Sequence, residues 1–442
     1  MGGLPRRNDR VEHYKSLGVT LVVDAGNTLS PRQNDDPGQT AIKADAMAQS
    51  WKLSGVDGVA LSERDLGLGL PLLQQLTTQY ELPVLAANLT CGGQRPFPAY
   101  RVVERGGQKI GVVGITMGAI DGCEVGDPAA AVHDAVAQMG EVDLRIGLLP
   151  MDRRQLRDLG MVPLDLAVLA GSASRLNMGD TVPLSVIPRG KQLGVASVTF
   201  VAGGHGVWSS ERQAELKDEV SSVEGRLLKS KIKREEAGES QVTPQEIYLA
   251  KRLEKSKQTV HDYGDGAGRH AVRVVTIDLD DNVADHAATA VLVERTQARI
   301  TKAETGGVPI ALGPRQALDG PYLGADGCRS CHPAQTAQWL GTKHAQAYKV
   351  LVDDNNAMNS TCVGCHVTGW KRAGGPERPA AVGGMRDVQC EACHGPSRAH
   401  AKRPEVFKPI RSPDVSTCTE CHDGDRDGGQ FDPLRYHDKI VH

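Results

Sequence analysis

Aromatic residues make up only 4% of the 442-residue sequence. That is little for chains that fill their cores with large rings, so bulk must come from elsewhere. No apolar run approaches the roughly 20 residues needed to cross a bilayer as a helix, which excludes a helical membrane span. No block of Lys or Arg occurs and the formal net charge is −3, so nucleic acid is not an expected partner. A secretory signal is also missing from the start. Arg6, Arg7, Asp9, Arg10, Glu12 and Lys15 interrupt the first eighteen residues, leaving no apolar h-region. Hydrophobic residues at 40% and charged residues at 24% predict a soluble, folded chain, long enough for two or three domains.

What is present is concentrated in the last quarter. The pattern Cys-x-x-Cys-His occurs four times, as Cys328–His332, Cys362–His366, Cys390–His394 and Cys418–His422. Chance would supply roughly 0.01 such matches in a chain of this composition. Each copy reads as a covalent haem attachment site, with two cysteines for the vinyl groups and a histidine for the iron. Zinc knuckles also use Cys-x-x-Cys pairs, but they do not demand a histidine directly after every second cysteine. The predicted thioether residues are Cys328, Cys331, Cys362, Cys365, Cys390, Cys393, Cys418 and Cys421, and the predicted proximal ligands are His332, His366, His394 and His422. Cys91 and Cys123 remain, either as thiols or as a disulfide. Covalent c-type haem is attached outside the cytoplasm. The expected location is therefore periplasmic or at the cell surface, with a signal segment upstream of Met1.

About 120 residues would hold four haems, too few for a conventional apolar core. The haems themselves must form much of it, with the chain wound around them as helical turns and loops. Four further histidines, His344, His400, His437 and His442, lie in this stretch. They are candidates for distal ligation. A bis-histidine iron is coordinatively full and suits outer-sphere electron transfer, whereas an open position allows small-ligand chemistry.

The first two hundred residues alternate strand-like and helical runs, as in layered α/β folds. Expected strands are Gly18–Ala25, Val56–Leu61, Pro83–Ala87, Arg101–Glu104, Lys109–Ile115, Asp143–Leu149, Leu164–Ala170 and Lys191–Val201. Helices are expected over Thr40–Leu53 and from Pro71 to Tyr80. Gly106-Gly107 reads as a hairpin turn. From about Ser209 to His261 the sequence predicts a helical hairpin. Leu216, Val220, Val223 and Leu227 form a stripe on its first helix, and Thr243-Pro244-Gln245-Glu246 is a capping box opening the second. The hairpin either packs on its own protein or serves for dimerisation. A strand over His270–Leu279 and an Asp285-capped helix to Ile300 follow. The scattered histidines His13, His133, His205, His261, His270 and His286 read as surface or capping residues. The expected division is an α/β domain over 1–205, the hairpin with its extra strand and helix over 206–305, a Gly/Pro-rich linker over 306–327, and a tetrahaem cytochrome c domain over 328–442.

Two resemblances extend this reading. GGLPRR, LVVDAGNTLS, GVDGVALSERDLGLG, PVLAANLTC, GGQKIGVVGIT and the late GKQLG make residues 2–204 similar to the metallophosphatase domain of UshA-like 5′-nucleotidases. That family would imply two metal ions activating a water against phosphate. Its ligands, however, are absent here. Asn27 stands at the bridging Asp, and Ser62-Glu63-Arg64-Asp65 replaces Gly-Asn-His-Glu. The strand before Pro150-Met151-Asp152 lacks its histidine, and Gly171-Ser172-Ala173-Ser174 lacks the final pair. Amides and an arginine cannot replace these donors around divalent ions. The remaining acids Asp24, Glu63 and Asp65 are expected to be solvated loop ends or caps.

The last quarter, through CRSCHPAQTAQWLGTKHAQAY, CVGCHVTGW, VQCEACHGPSRAH and CTECHDG with FDPLRYHDKIVH, resembles the tetrahaem cytochrome c family that accepts electrons from hydroxylamine oxidoreductase. The resemblance implies three bis-histidine haems and a five-coordinate second haem, on Cys362, Cys365 and His366. It places distal ligands at His344, His400 and His442. His437 ranks behind them, since the family has another residue type there.

The function this sequence predicts is electron transfer through four covalently bound haems, with redox proteins as partners and the degenerate phosphoesterase-like domain as a platform. Two alternatives remain open: a redox enzyme acting on a small nitrogen or sulfur species at a five-coordinate haem, and a 5′-nucleotidase-like phosphohydrolase.

Overall fold

The computed structural model describes residues 3–29, 36–170, 178–186, 190–307, 314–317, 319–422, 431–432, 435–436 and 440. His437, His442 and the Gly171–Ser174 loop lie outside the described residues. The chain divides into two compact units, one of Met1–Leu29 with Ala48–Thr289 and one of Ser30–Met47 with Ala290–His442.

The first unit is mixed α/β. After helix α1 (Leu4–Leu17) come β1 (Val23–Asp24), α2 (Pro37–Ser54), β2 (Gly58–Ala60), α3 (Glu63–Leu66), α4 (Leu70–Tyr80), β3 (Val84–Leu85) and β4 (Leu89–Cys91). Strands β1, β2 and β3 form a parallel sheet in that order. Next follow β5 (Tyr100–Arg105), β6 (Gln108–Gly114), β7 (Cys123–Val125), α5 (Pro128–Met139), β8 (Leu144–Leu149), α6 (Arg153–Leu159), β9 (Leu166–Leu169) and β10 (Val182–Ser185). The second sheet has the order β10-β9-β8-β6-β5, parallel except for the β5–β6 hairpin. Gly106 and Gly107 turn that hairpin with φ of 57° and 78°, the left-handed pair a two-residue turn requires.

One apolar cluster holds Ala60, Leu85, Val112, Ile146, Leu148 and Leu166 together with Val207 and Val272 from later strands. A second packs Val113, Ile115, Leu149 and Leu169 against Val132, Ala135, Leu156 and Leu159 of α5 and α6. Pro128 and Asp127 open α5 as the first helical residue and its cap, Asp127 accepting from Ala130 N at 2.7 Å.

The remaining strands, β11 (Gln192–Thr199), β12 (Val207–Trp208) and β13 (His270–Asp278), form a third sheet with β13 in the middle. Between β12 and β13 the hairpin is present as α7 (Ser210–Glu236) and α8 (Pro244–Tyr263), with the capping box of Thr243 and Glu246 formed. Val223, Leu227, Leu249 and Leu253 line its seam. Arg234–Glu246 at 3.1 Å and Arg252–Glu219 at 3.0 Å cross it.

Three local expectations are corrected, and one helix was not expected. The first strand is two half-buried residues rather than the buried run Gly18–Ala25, because Asp24 already turns into a polar loop. Helix α9 (Ala287–Thr305) is not capped by Asp285, which pairs with Arg6 at 3.7 Å. His286 accepts from Thr289 N instead, at 3.3 Å. His270 is buried rather than superficial, its Nδ1 accepting from Val201 N at 3.1 Å. Helix α1 has no counterpart in the sequence reading, since its charged residues mask the few apolar contacts of Leu4 and Val11.

The second unit is built from short helices and turns: α10 (Ala325–Cys328), α11 (Pro333–Leu340), α12 (Ala347–Asp353), α13 (Ser360–Val363), α14 (Cys390–His394), α15 (Arg398–Lys402) and α16 (Val415–Thr419). Residues 37–47 of α2 and 290–305 of α9 belong to it. No described helix is long and apolar enough to cross a membrane.

Cys91 and Cys123 face each other across β4 and β7 and are disulfide-bonded. Their sequence separation of 32 closes a loop that constrains the unfolded chain by about 3–4 kcal/mol. Replacing both by serine is expected to lower unfolding stability by that order in urea titrations, and reduction of the native chain by dithiothreitol should do the same.

Candidate haem centre

A helical turn brings residues i, i+3 and i+4 to one face. The Cys-x-x-Cys-His motifs use that geometry. Cys328 closes α10, and the turn continues with His332 N donating to Cys328 O at 2.9 Å. Cys362 lies in α13, Cys390 to His394 constitute α14, and Cys418 lies in α16 with His422 N bonded to Cys418 O at 2.9 Å. Both sulfurs and the imidazole of each motif can therefore meet one porphyrin.

The imidazoles are aimed by their other nitrogen. His366 Nδ1 contacts Ala347 O at 2.6 Å, and His394 Nδ1 contacts Ile410 O at 2.6 Å. Each pairing puts the proton on Nδ1 and leaves Nε2 as the lone-pair donor a metal needs. His400 is treated in the same way, its Nδ1 lying 2.8 Å from Phe407 O.

Two histidine pairs face each other. The rings of His332 and His400 are 6.3 Å apart between centres, at 28° to one another. Those of His344 and His422 are 6.1 Å apart, at 47°. A metal–imidazole bond of about 2.0–2.1 Å, plus about 1.1 Å from nitrogen to ring centre, puts two trans imidazole centres about 6.3 Å apart. Both separations match that spacing. Sequence spacing could not match these histidines to one another, and the fold brings these two pairs close. Burial, then the neighbouring His422, lowers the pKa of His344 and favours the neutral form that ligates. His437 and His442 lie among the residues not described.

The motifs are held close together. Cys328 and Cys390 are within hydrogen-bonding reach, and Cys418 lies near Cys393. Buried Glu391, inside the third motif, accepts from Leu323 N at 2.9 Å, Gly324 N at 2.8 Å and Ser397 N at 2.7 Å. Gln389 Oε1 accepts from Ala325 N at 2.6 Å. The third motif thus grips the segment that leads into the first. Gly324 is required there, since a Cβ would lie 2.3 Å from Arg315 O. Buried Asp387 takes Tyr348 N at 2.9 Å and the Arg315 guanidinium at 2.8 Å. Arg315 in turn lies over the Trp339 ring, 5.4 Å from its centre.

The acids left in the first unit have found other uses. Asp65 is fully buried, and its carboxylate accepts from Asn27 N at 2.6 Å, Thr28 N at 3.0 Å, Leu29 N at 2.8 Å, Ser62 N at 2.9 Å and Ser62 Oγ at 2.8 Å. It caps α3 and ties the β1 loop to the β2 loop, rather than lying in solvent. Asn27 takes φ of 64° so that its N–H can turn inward. Asp24 accepts from Gly26 N at 2.9 Å and Trp51 Nε1 at 3.1 Å, and Glu63 is exposed. Among the described residues no three His, Cys, Asp or Glu side chains converge as a metal site.

Comparison with known proteins bears on the second unit first. Residues 327–395 match the family model described as "Cytochrome c554 and c-prime". Covalent c-type haem is the cofactor that family implies, and three of the four motifs fall inside the matched residues. The chain is also similar to cytochrome c-554 of Nitrosomonas europaea, 32% identical over 118 residues, which cover 22% of this chain and 50% of that protein. The chain therefore spans about half the length of that curated relative. Among solved structures, the 5′-nucleotidase precursor of Thermus thermophilus shares 19% identity over 46% of each chain, with a TM-score of 0.40. The sulfate thiohydrolase SoxB of Thermus thermophilus shares 14% identity over 75% of this chain and 54% of its own, with a TM-score of 0.47.

Removing the Asp65 charge should cost the first unit dearly. Asp65→Asn presents an amide N–H₂ to backbone donors and is expected to destabilise by about 3 kcal/mol, read as a fall in the thermal unfolding midpoint.

Proposed function

We propose that this chain is an exported tetrahaem c-type cytochrome that passes electrons between redox partner proteins, with its phosphoesterase-like part as platform. The observation that carries this reading is the pair of imidazole spacings, 6.3 Å for His332–His400 and 6.1 Å for His344–His422. A covalently held haem supplies one-electron iron chemistry when bound. The chain's own residues do the rest. Cys328 with Cys331, Cys362 with Cys365, Cys390 with Cys393, and Cys418 with Cys421 fix four such groups. His332 with His400, and His344 with His422, would hold two of the irons, and His442, ahead of His437, is the candidate for a third. Filled coordination keeps geometry constant between oxidation states, which favours outer-sphere transfer. The close approach of Cys328 to Cys390 and of Cys393 to Cys418 supports short edge-to-edge distances among three of the sites. Half-exposed Val406, Phe407, Ile410 and Val415 offer apolar surface for porphyrin faces. The Cys91–Cys123 disulfide agrees with an oxidising compartment, periplasmic or at the cell surface.

His366 favours a second reading for one site. The resemblance to the tetrahaem family implies a five-coordinate haem at this motif, on Cys362, Cys365 and His366. A small nitrogen or sulfur species could take the open position there and be reduced or oxidised.

Electron paramagnetic resonance of the oxidised protein separates these roles. His400→Ala and His344→Ala are each expected to convert one low-spin iron to high spin and to shift a single midpoint potential. If neither variant changes the spectrum, the ligand assignment and the carrier mechanism built on it are wrong. A high-spin iron in the unmutated protein that binds carbon monoxide would support the second reading.

A further inference from the structure

We propose that Gln39 is a positioning residue for the second haem-attachment turn, an inference that rests on the tetrahaem reading above. Helix α13 has four residues, Ser360–Val363, and a helix so short has no stability of its own. It carries Cys362, so something outside it must fix where that sulfur stands. Gln39 is 1% exposed and uses its whole amide for this purpose. Its Oε1 accepts from Ser360 N and Ser360 Oγ, both at 3.0 Å. Its Nε2 donates to Met358 O at 2.8 Å and to Glu304 Oε1 at 2.6 Å.

Two neighbours on the same face of α2 continue the contact. Lys43, one turn on, donates to Thr361 Oγ1 at 2.7 Å. Ile42 packs in the cluster that contains Val363, Cys362 and Trp370, with Ile300 of α9. The two residues before Cys362 are thus held by side chains more than three hundred positions earlier in the chain. Cys362 and His366 are a turn apart, so the same grip would fix the His366 imidazole and the packing around any group held there. Ligand orientation and burial are what tune a haem's potential, and axial ligation its spin state. The attachment site of the second haem is therefore completed by residues 39–43, which lie in sequence between β1 and β2 of the phosphoesterase-like part.

The test uses the full chain, matured with haem. Gln39→Leu keeps the volume and removes four hydrogen bonds; Ser360→Ala removes only a hydroxyl and serves if the first variant does not accumulate folded. Peptide mapping of the Cys362–His366 segment reports attachment, and redox titration with electron paramagnetic resonance reports each iron. The expected result is haem still attached at every motif, one midpoint potential and one resonance displaced, and the others unmoved. Unchanged potentials and resonances in the folded variants overturn the role of Gln39. Absence of haem on Cys362 and Cys365 in the unmutated protein would instead overturn the tetrahaem reading.

Discussion

Glu391 lies between the two cysteines of its own haem motif and collects three backbone N–H groups, from Leu323, Gly324 and Ser397. The second unit has little regular structure to organise it, since its helices are four to eight residues long apart from the segments of α2 and α9. Short helices leave most of their N–H groups without partners, and buried carboxylates can gather several at once. Asp387 does the same for Tyr348 and Arg315. With these anchors the turns that bear cysteines are tied to one another, and the first, third and fourth motifs lie close together.

The first unit uses the same device for a different end. Asp65 draws the loops after β1 and β2 together by accepting backbone N–H groups from both. The carboxylate acts as a staple and is no longer free to ligate. The chain between β1 and β2 also supplies Gln39, Ile42 and Lys43 to the second unit.

Much of the fold was legible because it rests on local signals. The α7–α8 hairpin declared itself through its apolar stripe and the Thr243–Glu246 box, and the β5–β6 hairpin through two adjacent glycines. The four Cys-x-x-Cys-His turns were legible because the motif fixes its own spacing within one helical turn. What escaped the sequence depends on contacts across long separations. The pairing of His332 with His400 and of His344 with His422 needs the tertiary fold. So do the Cys91–Cys123 disulfide, the burial of His270 and the fourfold use of Gln39. Asp65 is the instructive case: as a residue type it resembles any loop acid, and only the inward-turned N–H groups of Asn27, Thr28 and Leu29 reveal its task.

The central claim is that every Cys-x-x-Cys-His turn holds a haem covalently. Intact-mass measurement of the protein expressed with its haem-attachment machinery tests this most directly. The expected result is a single species heavier than the polypeptide by four haems, unchanged after denaturation and acid extraction. A mature protein that carries three or fewer contradicts it.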